Sequence, residues 1–373
     1  AWRTLSWRDY AKAALDVAGG LRARGLGEGA HVAILAENRI EWVIVQMAAS
    51  AIGAVTVGIY PTSSADEIAH VLRHGGIDLL VVANDAQRAR LPADAPPLVV
   101  LDASGPGSFA ALRAEGEGWR AANPGALEAA IAAQKLDAVA LMIFTSGSTG
   151  APKGALLSFR NIRAAAFGLV DGLGFAPDSE ILSYLPLCHV AEQAMTMFAP
   201  LYGGSCVAFG GGIPTLVEDL SVIRPTYFSG VPRIWEKLQA LLLPEFEPGG
   251  RFADQAARDA LAFGRTLAFL PKVEWSAEQH RRAAACEAEC WHAARALLGM
   301  ERLSITTSGA ASLAPEVIGF FRALGFPLVE LYGMTEACSM MTLQQSRIVP
   351  GTVGETVGAV ALRLADDGEI LVQ

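Results

Sequence analysis

The segment from Thr145 to Gly154 reads TSGSTGAPKG and directly follows an apolar run, ALMIF. Its glycines allow backbone conformations that other residues avoid, so successive N–H groups can turn toward one anion. Its hydroxyl groups add hydrogen-bond donors, and Lys153 adds a positive charge. We therefore predict a phosphate-binding loop that follows a buried strand. The residues assigned to this loop are Thr145, Ser146, Gly147, Ser148, Thr149, Gly150 and Lys153.

This loop differs from the Walker phosphate loop, in which the lysine is followed by serine or threonine at the start of a helix. Here Gly154 follows Lys153, which argues against P-loop kinases and GTPases. The alternative is an exposed flexible Gly/Ser tract. Its position directly after an apolar strand and its Pro-Lys-Gly exit favour the phosphate loop.

Two segments near the C-terminal end form a second candidate site. Residues 306–311 read TTSGAA, and residues 330–336 read ELYGMTE. A turn of small residues lets a planar base approach the backbone, and an aromatic ring such as Tyr332 offers a stacking face. A carboxylate beside a hydroxyl, as in Thr335 and Glu336, suits a hard cation. The alternative is a core tyrosine and a surface acid.

Two further residues lie in suggestive contexts. His189 follows an apolar strand in LSYLPLCHVAEQ, and Trp235 lies in GVPRIWEK. A single histidine is usually structural or exposed, and a tryptophan at an apolar helix start is most often a core residue. Either residue gains a functional interpretation only from the segments around it.

These segments together resemble the adenylate-forming superfamily, which includes acyl- and aryl-CoA synthetases, luciferases and the adenylation domains of peptide synthetases. The resemblance implies that the first loop holds the β- and γ-phosphates of ATP, that Tyr332 stacks on the adenine and that Thr335 bonds the α-phosphate. It implies that Thr145 and Glu336 bind Mg²⁺. The nucleotide-binding residues implied in the second site are Gly309, Ala310, Ala311, Glu330, Leu331, Tyr332, Gly333, Met334 and Thr335. The implied catalytic residues are Lys153, His189, Thr335 and Glu336.

The Val-Pro-Arg-x-Trp-Glu-Lys run resembles the fatty acyl-CoA synthetase subgroup. It implies a ligase that activates a fatty acid with ATP and transfers it to CoA, with His189 at the acyl carboxylate and Trp235 lining or gating an acyl tunnel. An aryl-CoA ligase, a luciferase-like oxygenase and a peptide-synthetase-type adenylation domain are alternatives within the family. A nucleotide- or acyl-binding module without catalysis is an alternative of another class.

Helical sequence alternates with short apolar runs such as HVAILAE, which predicts an α/β protein with parallel sheets covered on both faces. The resemblance implies two stacked αβ subdomains and a distorted β-barrel, with the nucleotide between the subdomains. We expect approximate boundaries of 1–140, 141–325 and 326–373. The stretch from Pro92 to Pro124 is expected to be a loop-rich connection, and Asp367-Gly368 a hairpin turn.

Composition limits the class of protein. Acidic residues number 38 against 29 Lys and Arg, a formal charge of -9, and no basic block is present, so nucleic-acid binding is not expected. Five scattered cysteines suit a reducing, cytoplasmic location. For Cys286 and Cys290 an amphipathic helix is favoured over a metal site.

The uncharged stretch from Trp42 to Tyr60 predicts a buried helix and strand rather than a membrane span.

The chain ends at Gln373. The resemblance implies a ribose-binding aspartate, a hinge and a small C-terminal domain with a catalytic lysine beyond that point. We therefore expect a chain that lacks this domain and performs both half-reactions poorly. Acyl chain length, a homodimer and peripheral membrane contact are left open by the sequence.

Overall fold

The computed structural model describes residues 2–145, 150–345, 347–358 and 360–373. The α-helices are α1 (Trp7–Ala23), α2 (Ile40–Ala51), α3 (Ala65–Gly75), α4 (Asp85–Arg88), α5 (Phe109–Ala122), α6 (Ala126–Ala133), α7 (Phe159–Leu173), α8 (Val190–Gln193), α9 (Ala199–Gly203), α10 (Leu216–Ile223), α11 (Pro232–Leu242), α12 (Gln255–Leu267), α13 (Ala277–Cys286), α14 (His292–Ala296) and α15 (Pro315–Ala323). The strands are β1 (His31–Leu35), β2 (Val55–Ile59), β3 (Leu79–Val82), β4 (Leu98–Val100), β5 (Val139–Thr145), β6 (Lys153–Ser158), β7 (Glu180–Ser183), β8 (Cys206–Phe209), β9 (Tyr227–Gly230), β10 (Ile305–Ser308), β11 (Leu328–Met334), β12 (Ser339–Leu343), β13 (Glu355–Thr356), β14 (Leu362–Leu364) and β15 (Ile370–Val372).

The chain divides into two compact units. The first contains Ala1–Arg163 and Leu185–Gln193, and the second contains Ala164–Tyr184 and Ala194–Gln373. β6 pairs antiparallel with β5, so the strand that follows the predicted phosphate loop belongs to the first sheet. The expected subdomain boundaries of 1–140, 141–325 and 326–373 stay a prediction.

The first unit is built on a sheet with strand order β4-β3-β1-β2-β5-β6. All neighbouring pairs are parallel except β5 with β6. Continuous apolar runs form its central strands because both faces of a parallel sheet are covered by helices. Val57 and Leu80 are fully buried in the resulting core. The predicted α/β architecture is confirmed for this unit.

The uncharged stretch from Trp42 to Tyr60 folds as predicted, since α2 ends at Ala51 and β2 begins at Val55. Trp42 and Val57 are fully buried. Within the described residues, no helix combines the length and the hydropathy that a membrane crossing requires.

The expectation of a loop-rich connection between Pro92 and Pro124 is wrong, because β4 and the helix α5 lie there. Glycines at 116 and 118 weaken the helical signal of α5. Gly116 allows close packing against α1: a Cβ at this position would lie 1.6 Å from the carbonyl oxygen of Asp16. The close crossing of α1 and α5, which no local pattern reveals, therefore stabilises a helix of low intrinsic propensity.

The second unit is built on a sheet with strand order β13-β12-β11-β10-β9-β7-β8. Strands β7 to β11 pair in parallel, and β12 and β13 extend the sheet antiparallel. The separate hairpin of β14 and β15 turns at Asp367-Gly368 as predicted. These strands lie where the distorted β-barrel was expected, and the barrel itself stays a prediction.

The segment that contains Cys286 and Cys290 is helical, as expected. It runs from α13 through a π-helical turn at Glu287–Trp291 into α14. Both thiols are buried, and burial raises the pKa of each. Their environment is that of core cysteines.

Candidate functional site

The two ends of the predicted phosphate loop lie side by side in the first unit. Thr145 ends β5, Lys153 begins β6, and the two residues are partners across the antiparallel pair. Lys153 is exposed and Thr145 is half-buried. Ser146, Gly147, Ser148 and Thr149 lie outside the described residues. Thr145 and Lys153 therefore bring a hydroxyl and an ammonium group to the two strand ends that flank the predicted loop.

Two glycines, Gly150 and Gly154, suit the backbone at the exit of the predicted loop. Gly150 has a φ of 116°, a backbone conformation that side chains with a Cβ rarely adopt. A Cβ on Gly154 would lie 3.0 Å from the Cγ and Sδ atoms of Met142. The Pro-Lys-Gly exit thus runs close to the neighbouring strand.

His189 lies in the first unit, in the turn before α8. Its Nδ1 atom accepts a hydrogen bond of 3.1 Å from the Ala191 N–H, so Nδ1 carries no proton. Burial lowers the pKa of the His189 imidazole. The ring is therefore neutral near neutral pH, and its proton is on Nε2, where it is available as a donor.

The segment that contains His189 is held rigidly within the first unit. The Asn38 amide donates to the Leu185 carbonyl oxygen at 2.6 Å, and its Oδ1 atom accepts from the Leu187 N–H at 3.1 Å. Gln193 donates to the Leu187 carbonyl at 2.7 Å. These bonds fix the backbone before His189, as a positioned catalytic or binding group requires.

In the second unit, the structure brings together the two segments that were predicted to bind the nucleotide base. β10 and β11 are parallel, and Ser308 pairs with Glu330. Gly309–Ala311 and residues 331–336 therefore leave the same carboxyl edge of one sheet, which is the usual ligand-binding edge of open α/β sheets. A Cβ on Gly309 would lie 2.6 Å from Leu331 Cδ1, so a larger residue here would require the Leu331 side chain to move.

Two buried polar atoms at this edge have no hydrogen-bond partner among the described residues. They are Ser308 Oγ and Glu330 Oε2, and the two residues are 1% and 4% exposed. Glu330 Oε1 accepts from the Leu313 N–H at 3.1 Å. Burial raises the pKa of the Glu330 carboxyl group, and the Leu313 bond opposes this rise. Buried polar atoms normally find partners, so this edge is suited to a polar ligand.

Ser308 was missed as a candidate site residue, although it directly precedes the predicted small-residue turn. Gln344 was also missed: its Oε1 atom accepts from the Glu330 N–H at 3.0 Å, and its amide donates to the Thr352 carbonyl at 2.8 Å. Its role depends on a pairing 14 residues away in sequence, which local patterns do not reveal.

The strand β11 ends in an irregular turn that presents Thr335 and Glu336. The pairing with β12 shifts register between Tyr332 and Gly333, which is a β-bulge. A Cβ on Gly333 would lie 1.9 Å from the Ser339 carbonyl oxygen, so only glycine fits. Thr335 is buried, Glu336 is exposed and Tyr332 is half-buried.

Strained backbone flanks both segments of this site. Ala310 has a φ of 70°, and Cys338, directly after the turn of Glu336, has a φ of 59°. Such conformations cost energy in residues other than glycine and concentrate at functional sites. The binding role of these two segments stays a prediction.

Trp235 is fully buried in the second unit. Its Nε1 atom donates to the Thr307 carbonyl at 3.3 Å, and its ring makes edge contacts with Phe228 and Phe321 at centroid distances of 5.4 Å and 4.9 Å. This tryptophan is a core residue in the present conformation. The acyl-gate role stays a prediction.

The residues of the second unit fit an adenine nucleotide. Ser308 and Glu330 supply polar atoms without partners among the described residues, the Gly309–Ala311 turn carries only small residues, and Tyr332 supplies a ring. For Mg²⁺, the described part of the chain holds no group of three or more His, Cys, Asp or Glu side chains that could bind a metal alone. The exposed Glu336 carboxylate suits a magnesium ion that receives its other ligands from phosphates and water.

The fold and these edges define an α/β protein whose strands end in loops that suit a nucleotide. The chain belongs to the AMP-binding enzyme family, whose model matches residues 1–372. The prediction of an adenylate-forming N-terminal domain is thereby confirmed at the level of family.

Curated relatives carry fatty acid ligase names. Long-chain-fatty-acid–CoA ligase ACSBG2 of Rattus norvegicus is 32% identical over 91% of this chain and 53% of its own length. Long-chain-fatty-acid–CoA ligase FadD15 of Mycobacterium bovis is 32% identical over 100% of this chain and 62% of its own length. The chain thus spans a little more than half the length of these relatives.

Solved structures with the same fold include the N-terminal domain of FACL13 from Mycobacterium tuberculosis. It has a TM-score of 0.70 and 21% identity, over 98% of this chain and 79% of that one. The anthranilate CoA ligase AuaEII has a TM-score of 0.70 and 21% identity, over 100% of this chain and 64% of that one. At this identity these similarities establish the fold alone.

Proposed function

We propose that this chain is the ATP- and acyl-binding part of an AMP-forming long-chain fatty acid–CoA ligase. The observation that carries the proposal is the carboxyl edge of β10 and β11, where two buried polar atoms without partners among the described residues adjoin the Gly309 turn and Tyr332. Membership of the AMP-binding family and the names of the curated relatives support the substrate class.

In this proposal, the fatty acid carboxylate attacks the α-phosphorus of ATP, and pyrophosphate leaves. The acyl-adenylate then reacts with the thiol of CoA, and AMP leaves. The chain aligns the charged reactants and offsets charge on the phosphates, since the carboxylate is already ionised near neutral pH. Lys153 and the backbone of its loop act on the β- and γ-phosphates, and Thr335 donates to the α-phosphate.

We propose that His189 acts at the acyl carboxylate as an uncharged imidazole. Its Nε2–H can donate a hydrogen bond to a carboxylate or phosphate oxygen without adding a full positive charge. The bond from the Ala191 N–H to Nδ1 fixes this tautomer. The assignment is supported by the rigid segment around His189 rather than by any contact with substrate.

Mg²⁺ is part of the proposal, with Glu336 as its protein ligand in the second unit. The ion would neutralise charge on the phosphates that leave. Trp235 is proposed to border the acyl site.

Several broader expectations also remain proposals. A cytoplasmic location is supported by five free cysteines, all of them within the described residues. Peripheral membrane contact, which an apolar substrate supports, and a homodimer are also proposals.

The test is ATP–pyrophosphate exchange by the full-length encoded protein, measured with palmitate, shorter fatty acids and anthranilate. The proposal predicts exchange with fatty acids and a loss of at least about a hundredfold in Glu336→Ala. Exchange with anthranilate alone would favour the aryl-CoA ligase alternative. No exchange with any acid, together with retained ATP binding, would favour a binding module without catalysis.

A further inference from the structure

His70 lies on α3, a helix whose position is firmly fixed. A capping box begins this helix: the Ser64 N–H donates to the Glu67 carboxylate at 2.6 Å, and the Glu67 N–H donates to Ser64 Oγ at 3.3 Å. Ile68 and Leu72 bury the opposite face in the core of the first sheet. The backbone that carries His70 is therefore well defined.

The His70 side chain reaches the exit of the phosphate loop. Its Nε2 atom lies 2.9 Å from the Pro152 carbonyl oxygen. A carbonyl oxygen only accepts hydrogen bonds, so Nε2 carries the proton. The ring stacks on His74 at a centroid distance of 4.0 Å and meets the edge of Phe144, on β5, at 6.2 Å. These contacts hold the imidazole in the orientation that the bond requires.

Pro152 directly precedes Lys153, the first residue of β6. Proline has no N–H of its own, so its carbonyl is its only polar backbone group. A bond to that carbonyl fixes the peptide from which the Lys153 side chain departs. The strand pairing of Thr145 with Lys153 fixes the same point from the other side.

We propose that His70 is a positioning residue for adenylation, which holds the exit of the phosphate loop and thereby places Lys153 for the phosphates of ATP. This inference rests on the proposed function, because the action of Lys153 on the phosphates of ATP is part of that proposal. His70 itself touches no reacting atom. It acts through the Pro152 peptide, and its effect should fall on ATP rather than on the acid.

The test uses three variants of the full-length protein in ATP–pyrophosphate exchange with a fatty acid. His70→Leu removes the donor, and His70→Gln retains an N–H donor on a side chain of similar reach. His292→Gln is the control, since it makes the same substitution at an exposed histidine of the second unit, whose Nδ1 atom lies 3.8 Å from the Glu287 carboxylate. The KM for ATP, the KM for the fatty acid and the melting temperature are measured for each.

We expect His70→Leu to raise the KM for ATP about tenfold, the effect of losing one partly buried hydrogen bond, with the KM for the fatty acid unchanged. His70→Gln should return the KM for ATP to within about threefold of wild type, and His292→Gln should leave it within about twofold.

The inference is overturned if His70→Leu keeps the wild-type KM for ATP, or if His70→Gln is as impaired as His70→Leu. It is also overturned if both KM values rise together with a fall in melting temperature, because that pattern indicates a purely structural role. Absence of exchange in the wild-type protein would overturn the proposed function. Exchange by the wild type together with an unaffected His70→Leu variant would overturn this inference alone, so the two failures are distinguishable.

Discussion

Replacing Trp235 tests whether this side chain is a fixed part of the core. Trp235→Ala removes a fully buried indole that contacts Phe228 and Phe321, together with its bond to the Thr307 carbonyl. Truncation of a buried tryptophan to alanine costs about 3–5 kcal/mol, because a cavity remains where the ring was. Trp235→Phe keeps an aromatic ring, so we expect a loss of about 1–2 kcal/mol from the smaller volume and the missing bond.

The assay is thermal unfolding followed by calorimetry. For a unit of this size, each kcal/mol corresponds to about 2–4 °C, so Trp235→Ala should lower the transition of the second unit by about 10 °C. Trp2→Ala is the control: Trp2 is 49% exposed, and its truncation should change the melting temperature by less than about 2 °C.

A different result would refute this reasoning. If Trp235→Ala melts within about 2 °C of wild type, the indole is not held by the core as the contacts indicate. A simultaneous change in the preferred acyl chain length would then support the gate role instead.

Two further predictions concern the first unit. Gly116→Ala should destabilise the protein by at least about 2 kcal/mol in urea unfolding, because the new methyl group would overlap the Asp16 carbonyl in the contact of α1 and α5. Gly118→Ala is the control, since its Cβ meets no atom within 4 Å. This substitution should be neutral or stabilising by up to about 1 kcal/mol. Equal effects of the two substitutions would contradict the close helix crossing. Because burial lowers the pKa of His189, its neutral form should persist to lower pH than that of an exposed histidine; exchange should stay level as pH falls from about 8 to about 6.5 and decline only below that range. A His189→Asn variant should lack this acidic decline, and an identical decline in that variant would assign it to another group.

Much of the fold follows from local sequence. The handover from α2 to β2 was predictable from an uncharged run whose second half is strand-like, and the β14–β15 hairpin was predictable from Asp367-Gly368. The helix α5 was not, because its stability depends on the packing of Gly116 against α1. The place of β6 in the first sheet was also not predictable, since it depends on the antiparallel pairing of β6 with β5.

The candidate site shows the same distinction. The types of residues at 309–311 and 330–336 indicated a nucleotide, but only the parallel register of Ser308 with Glu330 brings the two segments to one edge. The buried oxygens at this edge, which have no partner in the part of the chain that the structure describes, depend on three-dimensional packing and have no signature in the sequence. The same holds for the bond between His70 and Pro152, which joins residues 82 positions apart.

The most direct test of the central claim is the affinity of the full-length protein for a non-hydrolysable palmitoyl-adenylate analogue, measured by calorimetry for wild type, Tyr332→Ala and Tyr202→Ala. Tyr202 is 44% exposed and serves as the control. We predict that wild type and Tyr202→Ala bind the analogue equally, and that Tyr332→Ala binds about tenfold more weakly because it loses the stacking of the base. Equal affinity in Tyr332→Ala, or no binding by wild type, would contradict the assignment of this edge as the adenylate site.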